Sequence, residues 1–330
     1  MNLRRALIAL FALVGFPAAA ECTDTSYVDR LSPGQTSALA AAVADMPYAQ
    51  GLIWRARKGD QIITLAGTMH VYDPRLEPIR DQLRPDVTTA DLILLEATPA
   101  EERQLQDLMT TQPDVLFITD GPTLPELLDE PTWQLIADAV RDRNIPAFLA
   151  AKMQPWYLSM VLSIPACLSN DMMAGNLGLD AMIIEDAMAA DVPMQALEPY
   201  TTLFDIFQND PIDEQIAMLR VALGAPDLQD EIFVATLDSY FARDVGRLWE
   251  LSRIAIADVP GLTQAEATRL FAESEKALLI DRNLAWIPVI DAALAQHDNI
   301  VVAVGAAHLV GAYGLPQLLE NDGWALTRLD

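Results

Sequence analysis

Cysteine, histidine and basic side chains are all scarce in this sequence. Its 330 residues include two cysteines, three histidines, and 21 lysines and arginines against 47 aspartates and glutamates. The formal net charge of −26 repels nucleic acid and anionic lipid, so neither is expected as a partner. Neither cysteine has the spacing of a zinc site or a thiol active site. No hydrophobic run after the amino-terminal segment is long enough to span a membrane, and we expect no membrane-embedded part.

The amino-terminal 20 residues have the pattern of a secretory signal peptide. A short basic start precedes an apolar run over residues 6–16, and small residues follow it. We expect removal of residues 1–20, which leaves one domain of residues 21–330 in the periplasm or outside the cell. In such an oxidising compartment Cys22 and Cys167 are expected to form a disulfide. The alternative is that the two distant thiols are unpaired and buried.

Three short apolar runs predict the central strands of a sheet. They cover residues 62–66, 92–95 and 300–304. They are almost continuously hydrophobic, as is typical of parallel strands that are covered on both faces. A weaker fourth strand is predicted at 192–197, and residues 50–56 are predicted to form a hairpin with the first run.

Apolar spacings of three and four predict that most of the remaining chain is helical. The sheet is therefore drawn from both ends of the chain, with a large helical insertion at about 100–280. The expected fold class is α/β (or α+β), with a central, mostly parallel sheet in a single domain. The predicted helices cover residues 76–83, 101–110, 124–143, 180–190, 212–223, 229–257 and 263–295.

Two of the three histidines follow predicted strands in matching settings. Each lies three residues after a glycine, in Gly67-Thr-Met-His70 and in Gly305-Ala-Ala-His308. Glycine permits a sharp turn at the strand end, so each imidazole can point back across the sheet edge. Glu96 ends the second strand run in a similar position. Because the carboxyl ends of parallel strands form the usual ligand crevice, we expect His70, Glu96 and His308 to meet there.

Arg282 is the fourth candidate, and each of the four residues has a structural alternative. Arg282 lies in the last long helical segment, where it could stabilise a developing oxyanion or bind a substrate carboxylate. The alternatives are a surface salt bridge for Arg282, a helix cap for Glu96 and hydrogen-bonded loop positions for the histidines. Glu198, after the weak fourth strand, is interpreted as a polar residue that closes the strand, and the alternative is a general base or a further metal ligand. His297 is interpreted as a solvent-facing turn residue.

Seven short segments carry a resemblance to a known family. They are residues 65–75, 91–96, 178–180, 196–198, 281–283, 304–311 and 314–323. These segments resemble the TraB/GumN family, which includes the Tiki proteases and is related to the erythromycin-esterase and ChaN-like folds. The resemblance spans nearly all of the chain after the signal peptide. It implies that His70, Glu96, Arg282 and His308 are the functional set.

The resemblance implies hydrolysis by one of two mechanisms, or ligand binding alone. Tiki-type members imply a metal-dependent peptidase, with a divalent ion on His70, Glu96 and His308 and with Arg282 at the oxyanion. Erythromycin-esterase relatives imply a metal-free alternative, in which one histidine activates water and the other holds or protonates the substrate. ChaN-like relatives imply a periplasmic protein that binds haem or another ligand without turnover. We expect the first of these, acting on a peptide or a small molecule.

Overall fold

A central six-stranded sheet organises the described part of the chain. The computed structural model describes residues 25–168, 177–208, 210–223, 226–259 and 262–330. The strands are β1 (Ile53–Lys58), β2 (Gln61–Thr68), β3 (Leu92–Leu95), β4 (Met194–Ala196), β5 (Asn299–Gly305) and β6 (Ala325–Arg328). Their order is β4-β3-β5-β2-β1-β6. In this order the first four strands, β4, β3, β5 and β2, run parallel, and β1 pairs antiparallel with both β2 and β6. The predicted α/β class with a mostly parallel sheet is confirmed.

Helices fill most of the sequence between the strands, and the longest helical stretches lie between β3 and β5. In the described ranges a π-helix (Lys276–Ile280) separates the α-helix Gln264–Glu275 from the α-helix Asp281–Leu294. The α-helices are α1 (Pro33–Asp45), α2 (Glu77–Thr89), α3 (Pro99–Thr111), α4 (Leu124–Leu127), α5 (Glu130–Asp142), α6 (Ala147–Ala150), α7 (Pro155–Leu162), α8 (Leu179–Ala189), α9 (Thr202–Phe207), α10 (Ile212–Leu223), α11 (Pro226–Phe241), α12 (Val245–Ala255), α13 (Gln264–Glu275), α14 (Asp281–Leu294) and α15 (Leu315–Asn321).

The parallel strands are continuously hydrophobic because both of their faces are covered. Alternate side chains of a strand point to opposite faces of the sheet. On one face Ala66 and Val301 pack with α2, α8 and α11, and on the other Leu65 and Val302 pack with α14 and α15. Full burial of one such aliphatic side chain stabilises the fold by about 1.5–3 kcal/mol. The two clusters together hold the strand ends in a defined position.

The helical insertion has a hydrophobic cluster of its own. Helices α4, α5, α6, α7 and α10 contribute to it, and Ile136, Leu158 and Leu219 at its centre are 0 % exposed. This cluster shares no buried member with the two clusters at the sheet. The part of the insertion formed by α4–α7 and α10 therefore buries its own apolar side chains, whereas α8 and α11 pack against the sheet.

The four predicted sheet strands all form, whereas three long helix predictions are interrupted. The 124–143 segment breaks where Asp129 caps α5. The 229–257 segment breaks at Arg243, whose φ is 62°, and the 263–295 segment contains the π-helix. Apolar spacing continues across each break, so it does not reveal where the backbone changes direction. The pattern also does not predict β6, whose side chains are mostly exposed at the sheet edge.

The predicted signal peptide and one cysteine lie outside the described residues. Residues 1–20 and Cys22 both precede the first described position. Signal-peptide cleavage and the pairing of Cys22 with Cys167 therefore stay predictions. Within the described ranges, every helix is too short or too polar to cross a membrane.

Candidate active site at the carboxyl edge of the sheet

The carboxyl ends of the parallel strands bring several polar side chains to one edge of the sheet. Glu96 directly follows β3, Glu198 lies two residues after β4, and His70 lies two residues after β2. In the pairing of β2 with β5, Thr68 is opposite Gly305. Because these strands run in the same direction and in register, the segments that follow them emerge side by side.

Glu96 is held by a main-chain donor and a side-chain donor. The Gly305 N–H donates to its Oε1 at 2.7 Å, and Arg282 Nη2 donates to its Oε2 at 2.5 Å. Burial opposes ionisation, but positive charge on His308 and Arg282 outweighs it and lowers the pKa of Glu96 to about 2. The guanidinium acts in this direction even when His308 is neutral. The cap of α3 is Thr98, so Glu96 does not have the capping role that was its alternative.

Arg282 is buried, and all three of its nitrogens face protein acceptors. Nε and Nη2 form a fork on Glu198, with N···O distances between 2.5 and 3.1 Å. Nη1 donates to the Leu278 carbonyl and contacts His308 Nε2, both at 3.2 Å. With Nη2 also on Glu96, the guanidinium is not free to bind an oxyanion in this arrangement. The oxyanion role expected from the sequence is therefore not supported, and neither is a surface salt bridge.

The π-helix explains why Arg282 points to the sheet edge. A π-turn contains an extra residue, which rotates the helix that follows and leaves carbonyls such as that of Leu278 open to other donors. Arg282 and Asn283 lie in the first turn of α14 and are 8 % and 1 % exposed. Both side chains are thereby directed inward at the site. Such π-turns occur frequently at functional sites.

His308 is buried, and its hydrogen bonds determine its tautomer. Asn283 Nδ2 donates to the carbonyls of His308 and Tyr313 at 3.3 and 2.8 Å. Asn283 Oδ1 therefore accepts from His308 Nδ1, at 2.6 Å, and the lone pair on Nε2 faces Arg282. Burial lowers the pKa of His308 to about 4, with Arg282 acting in the same direction and Glu96 opposing it. The ring is neutral at pH 7.

His70 is the exposed member of the set. Its side chain is 67 % accessible, and its Nδ1 lies 3.2 Å from Asp180 Oδ1. The interaction with Asp180 raises the pKa of His70 above its ordinary value of 6.5. Asp180 is in the first turn of α8, which begins against the His70 main chain, where the Gly178 N–H donates to His70 O at 3.1 Å. A Cβ on Gly178 would lie 1.8 Å from Met69 O, so only glycine permits this approach.

His70, Glu96 and His308 converge on Gly305. A Cβ built on that glycine would lie 3.4 Å from Glu96 Oε1, 3.7 Å from His308 Cδ2 and 3.9 Å from His70 Nε2. Three side chains from three different strand ends therefore surround one point, where glycine leaves space. Arg282 joins the group through its contacts with Glu96 and His308. The structure thus brings all four residues predicted from the sequence to one location.

Comparison with known proteins identifies the family of this chain. A sequence model of the TraB/PrgY/gumN family matches residues 52–328. The chain belongs to this family. It is similar to the uncharacterized protein YbaP of Escherichia coli (strain K12), with 24 % identity over 263 residues, which cover 79 % of this chain and 89 % of YbaP. It is also similar to the uncharacterized protein YbaP of Shigella flexneri, with 24 % identity over 291 residues, which cover 84 % and 100 %. No solved structure matches significantly.

The side chains of this TraB/PrgY/gumN protein do not fit a divalent ion as they are arranged. Arg282 occupies one oxygen of Glu96 and faces the lone pair of His308, and the Gly305 N–H occupies the other oxygen of Glu96. Among the residues that the structure describes, no three His, Cys, Asp or Glu side chains are grouped to hold a metal. A cation on His70, Glu96 and His308 would first have to displace the guanidinium. The metal site expected from the family resemblance stays a prediction.

Several residues of this family member's site are not singled out by sequence reasoning. Asp180 and Asn283 lie within the segments that carry the resemblance, but spacing does not show which helix side chains reach a sheet edge. Trp286, one turn after Arg282, has no sequence signal. Glu198 does more than close a strand, because it binds the guanidinium and accepts a hydrogen bond from Trp286 Nε1 at 2.9 Å.

Proposed function

We propose that this protein is an exported hydrolase of ester or amide bonds that works by proton transfer at the sheet edge. The observation that carries the proposal is that an ionised Glu96 and a protonated His70 both lie beside Gly305. Their pKa values move in opposite directions, to about 2 for Glu96 and above 6.5 for His70. Two titratable groups separated in this way can act as acceptor and donor in one reaction. Export is supported by the signal-peptide pattern of residues 1–20.

In the proposed reaction Glu96 is the proton acceptor and His70 the proton donor. The oxygen of a water molecule bonds to the substrate carbonyl carbon while Glu96 takes its proton. The C–O or C–N bond then breaks, and His70 gives its proton to the departing alkoxide or amine. Glu96 Oε1 accepts a single protein hydrogen bond, from a main-chain N–H, and keeps a lone pair for the water. Asp180 orients the donor, as an aspartate does in a catalytic triad.

A metal-dependent, peptidase-like form of the hydrolysis is the second candidate. The observation that favours it is that His70 and His308 both have Nδ1 engaged, by Asp180 and Asn283 respectively. Metal-binding histidines commonly show this pattern, but the ion would reach His308 Nε2 only after Arg282 Nη1 had withdrawn from it. The family resemblance points to the same chemistry. No step of the reaction above depends on a metal.

Turnover by the purified chain without residues 1–20 tests the proposal. We expect hydrolysis of at least one member of a panel of p-nitrophenyl esters and peptide anilides. H70A and E96Q should each lower kcat/KM by about 10²–10⁴-fold, since each removes one proton-transfer group. H297A is the matched control, because His297 lies in the turn that follows α14 and should keep the wild-type rate.

Three outcomes separate the alternatives. Wild-type rates in folded H70A and E96Q would overturn the proposed site. Binding of peptide or haem with no turnover by the wild type would favour a ligand-binding protein. Loss of activity in EDTA, with recovery on adding a divalent ion, would favour the metal-dependent mechanism over the metal-free one.

A further inference from the structure

We infer that Glu198 is a positioning residue, which holds Arg282 in place and thereby fixes the hydrogen bonds between Arg282 and both Glu96 and His308. The Glu198 side chain is 11 % exposed. Its two oxygens accept from Arg282 Nε and Nη2 and from Trp286 Nε1, with distances between 2.5 and 3.1 Å. Where activity is the readout, this inference rests on the proposed function. Its structural consequences can be measured without a substrate.

The fork on Glu198 matters because a guanidinium presents two usable edges to its neighbours. A bidentate carboxylate fixes both the position and the plane of an arginine side chain. With Nε and Nη2 on Glu198, the other edge presents Nη1 to His308 Nε2 at 3.2 Å, and Nη2 is shared with Glu96. A guanidinium that rotated would lose this whole set of contacts. Glu198 therefore determines where Nη1 lies.

Trp286 helps to hold the same arrangement, because it contacts Glu198, Arg282 and His308. It is 0 % exposed, and its N–H fixes the Oε2 atom of Glu198. The Arg282 Cζ atom lies 4.9 Å from the centroid of its ring, and the His308 ring lies 4.4 Å from it, centroid to centroid. One aromatic side chain thus contacts the positioning carboxylate, the guanidinium and the imidazole. Because the Trp286 ring contacts His308 directly, a change at Trp286 would not isolate Glu198. Glu198→Asp, which shortens the side chain and keeps its charge, is the second variant.

Charge leads to the same conclusion. Arg282 is a buried cation with two carboxylate partners, Glu96 and Glu198. A buried charge that loses one partner is left incompletely compensated, and the charge of Glu96 then attracts it without competition. If Glu198 lost its charge, the guanidinium would turn both Nη groups toward Glu96 and withdraw Nη1 from His308. The imidazole Nε2 would then lose its donor.

Histidine ¹⁵N NMR of the folded chain shows directly whether His308 Nε2 has a hydrogen-bond donor. The chain has three histidines, so H70A and H297A suffice to assign the signals. In E198Q we expect the His308 Nε2 resonance to move toward that of an imidazole nitrogen without a hydrogen-bond donor. The His297 signals should not change. E198D, whose shorter side chain weakens the fork on Arg282, should shift the same resonance in the same direction by a smaller amount.

Glu250→Gln is the matched control. The Glu250 side chain is also 11 % exposed and also pairs with an arginine, Arg253, at 2.6 Å, but on α12. This variant should leave all three histidines unchanged. In turnover assays E198Q should lower kcat by about 10²-fold, as expected for misplaced catalytic groups, with little change in KM.

An unchanged His308 resonance in both folded variants would overturn the positioning role. If E198Q does not fold, E198D decides the question by the same measurement. A shifted resonance in a protein that shows no turnover would uphold the positioning role and reject the proposed hydrolysis. Equal shifts in E250Q would mean that loss of any buried carboxylate disturbs the site, and would also overturn the inference.

Discussion

At the scale of single residues, two histidines in matching sequence settings have opposite chemistry. Each has its Nδ1 engaged by the side chain of a helix residue. For exposed His70 the partner is the carboxylate of Asp180, which favours the imidazolium and raises the pKa. For buried His308 the partner is the amide of Asn283, which carries no charge. Because this partner does not favour the imidazolium, burial lowers the pKa of His308. The difference between aspartate and asparagine therefore assigns the two rings to different roles.

Asp180→Asn should shift the alkaline side of the pH–rate profile. A donor must be protonated, so the proposed activity falls as pH rises through the pKa of His70. Without the carboxylate the pKa of His70 is lower, and the rate should begin to fall at a pH about one unit lower. The profile of kcat/KM and the ¹⁵N titration of His70 measure the change. Glu185→Gln, an exposed change on the same helix, should leave both unaltered. An unmoved alkaline limb in the Asn variant would contradict His70 as the donor.

At the scale of elements, the start of α8 determines where Asp180 lies. The helix begins against the strand that leads to His70, with Leu179 N–H donating to Met69 O at 2.8 Å and Gly178 N–H donating to His70 O at 3.1 Å. This packing is as close as two backbones allow, because there is no side chain at Gly178. The π-helix acts comparably on the other side of the site, since it turns Arg282 inward. The site therefore depends on two backbone features as much as on its side chains.

Gly178→Ala should destabilise the protein and disturb His70 together. The added Cβ would lie 1.8 Å from Met69 O and 2.5 Å from the His70 carbonyl carbon, so backbone atoms have to move. We expect a loss of about 1–3 kcal/mol in the free energy of unfolding, as for other overpacked sites. Urea denaturation measures it. Gly34→Ala is the control, since the nearest atom to its Cβ is 3.9 Å away. Equal stability of the two variants would show that α8 can shift freely.

At the scale of the whole molecule, buried titratable groups link the charge of the site to the stability of the fold. His308 has a pKa of about 4 in the folded protein against an ordinary 6.5. Between these values the unfolded chain binds a proton that the folded chain does not. The contribution of His308 to stability is therefore complete above pH 6.5 and is lost as pH falls to 4. Glu96, at about 2 against 4.5, adds a loss below pH 4.5.

His308→Gln should flatten the acid side of the stability curve. The wild-type free energy of unfolding should fall by up to about 1.4 kcal/mol per pH unit more steeply than that of the variant between pH 6.5 and 4. Urea denaturation at a series of pH values measures both slopes. Taking the difference removes the contributions of the carboxylates that do not interact with His308. Parallel curves would show that His308 is protonated alike in the folded and unfolded chains.

The sequence alone determined the four sheet strands, the family, and the four residues that meet at the sheet edge. The strands, Glu96 and the two histidines follow from local patterns, namely continuous apolar runs and a glycine three residues before each histidine, whereas Arg282 is assigned through the family resemblance. Only the tertiary structure decided that His70 is exposed and His308 buried, that Arg282 is bound by Glu198, and that Asp180 and Asn283 orient the rings. Those contacts join residues 25 to 110 positions apart. Burial and charge partners over such separations set the pKa of each group, and no local periodicity records them.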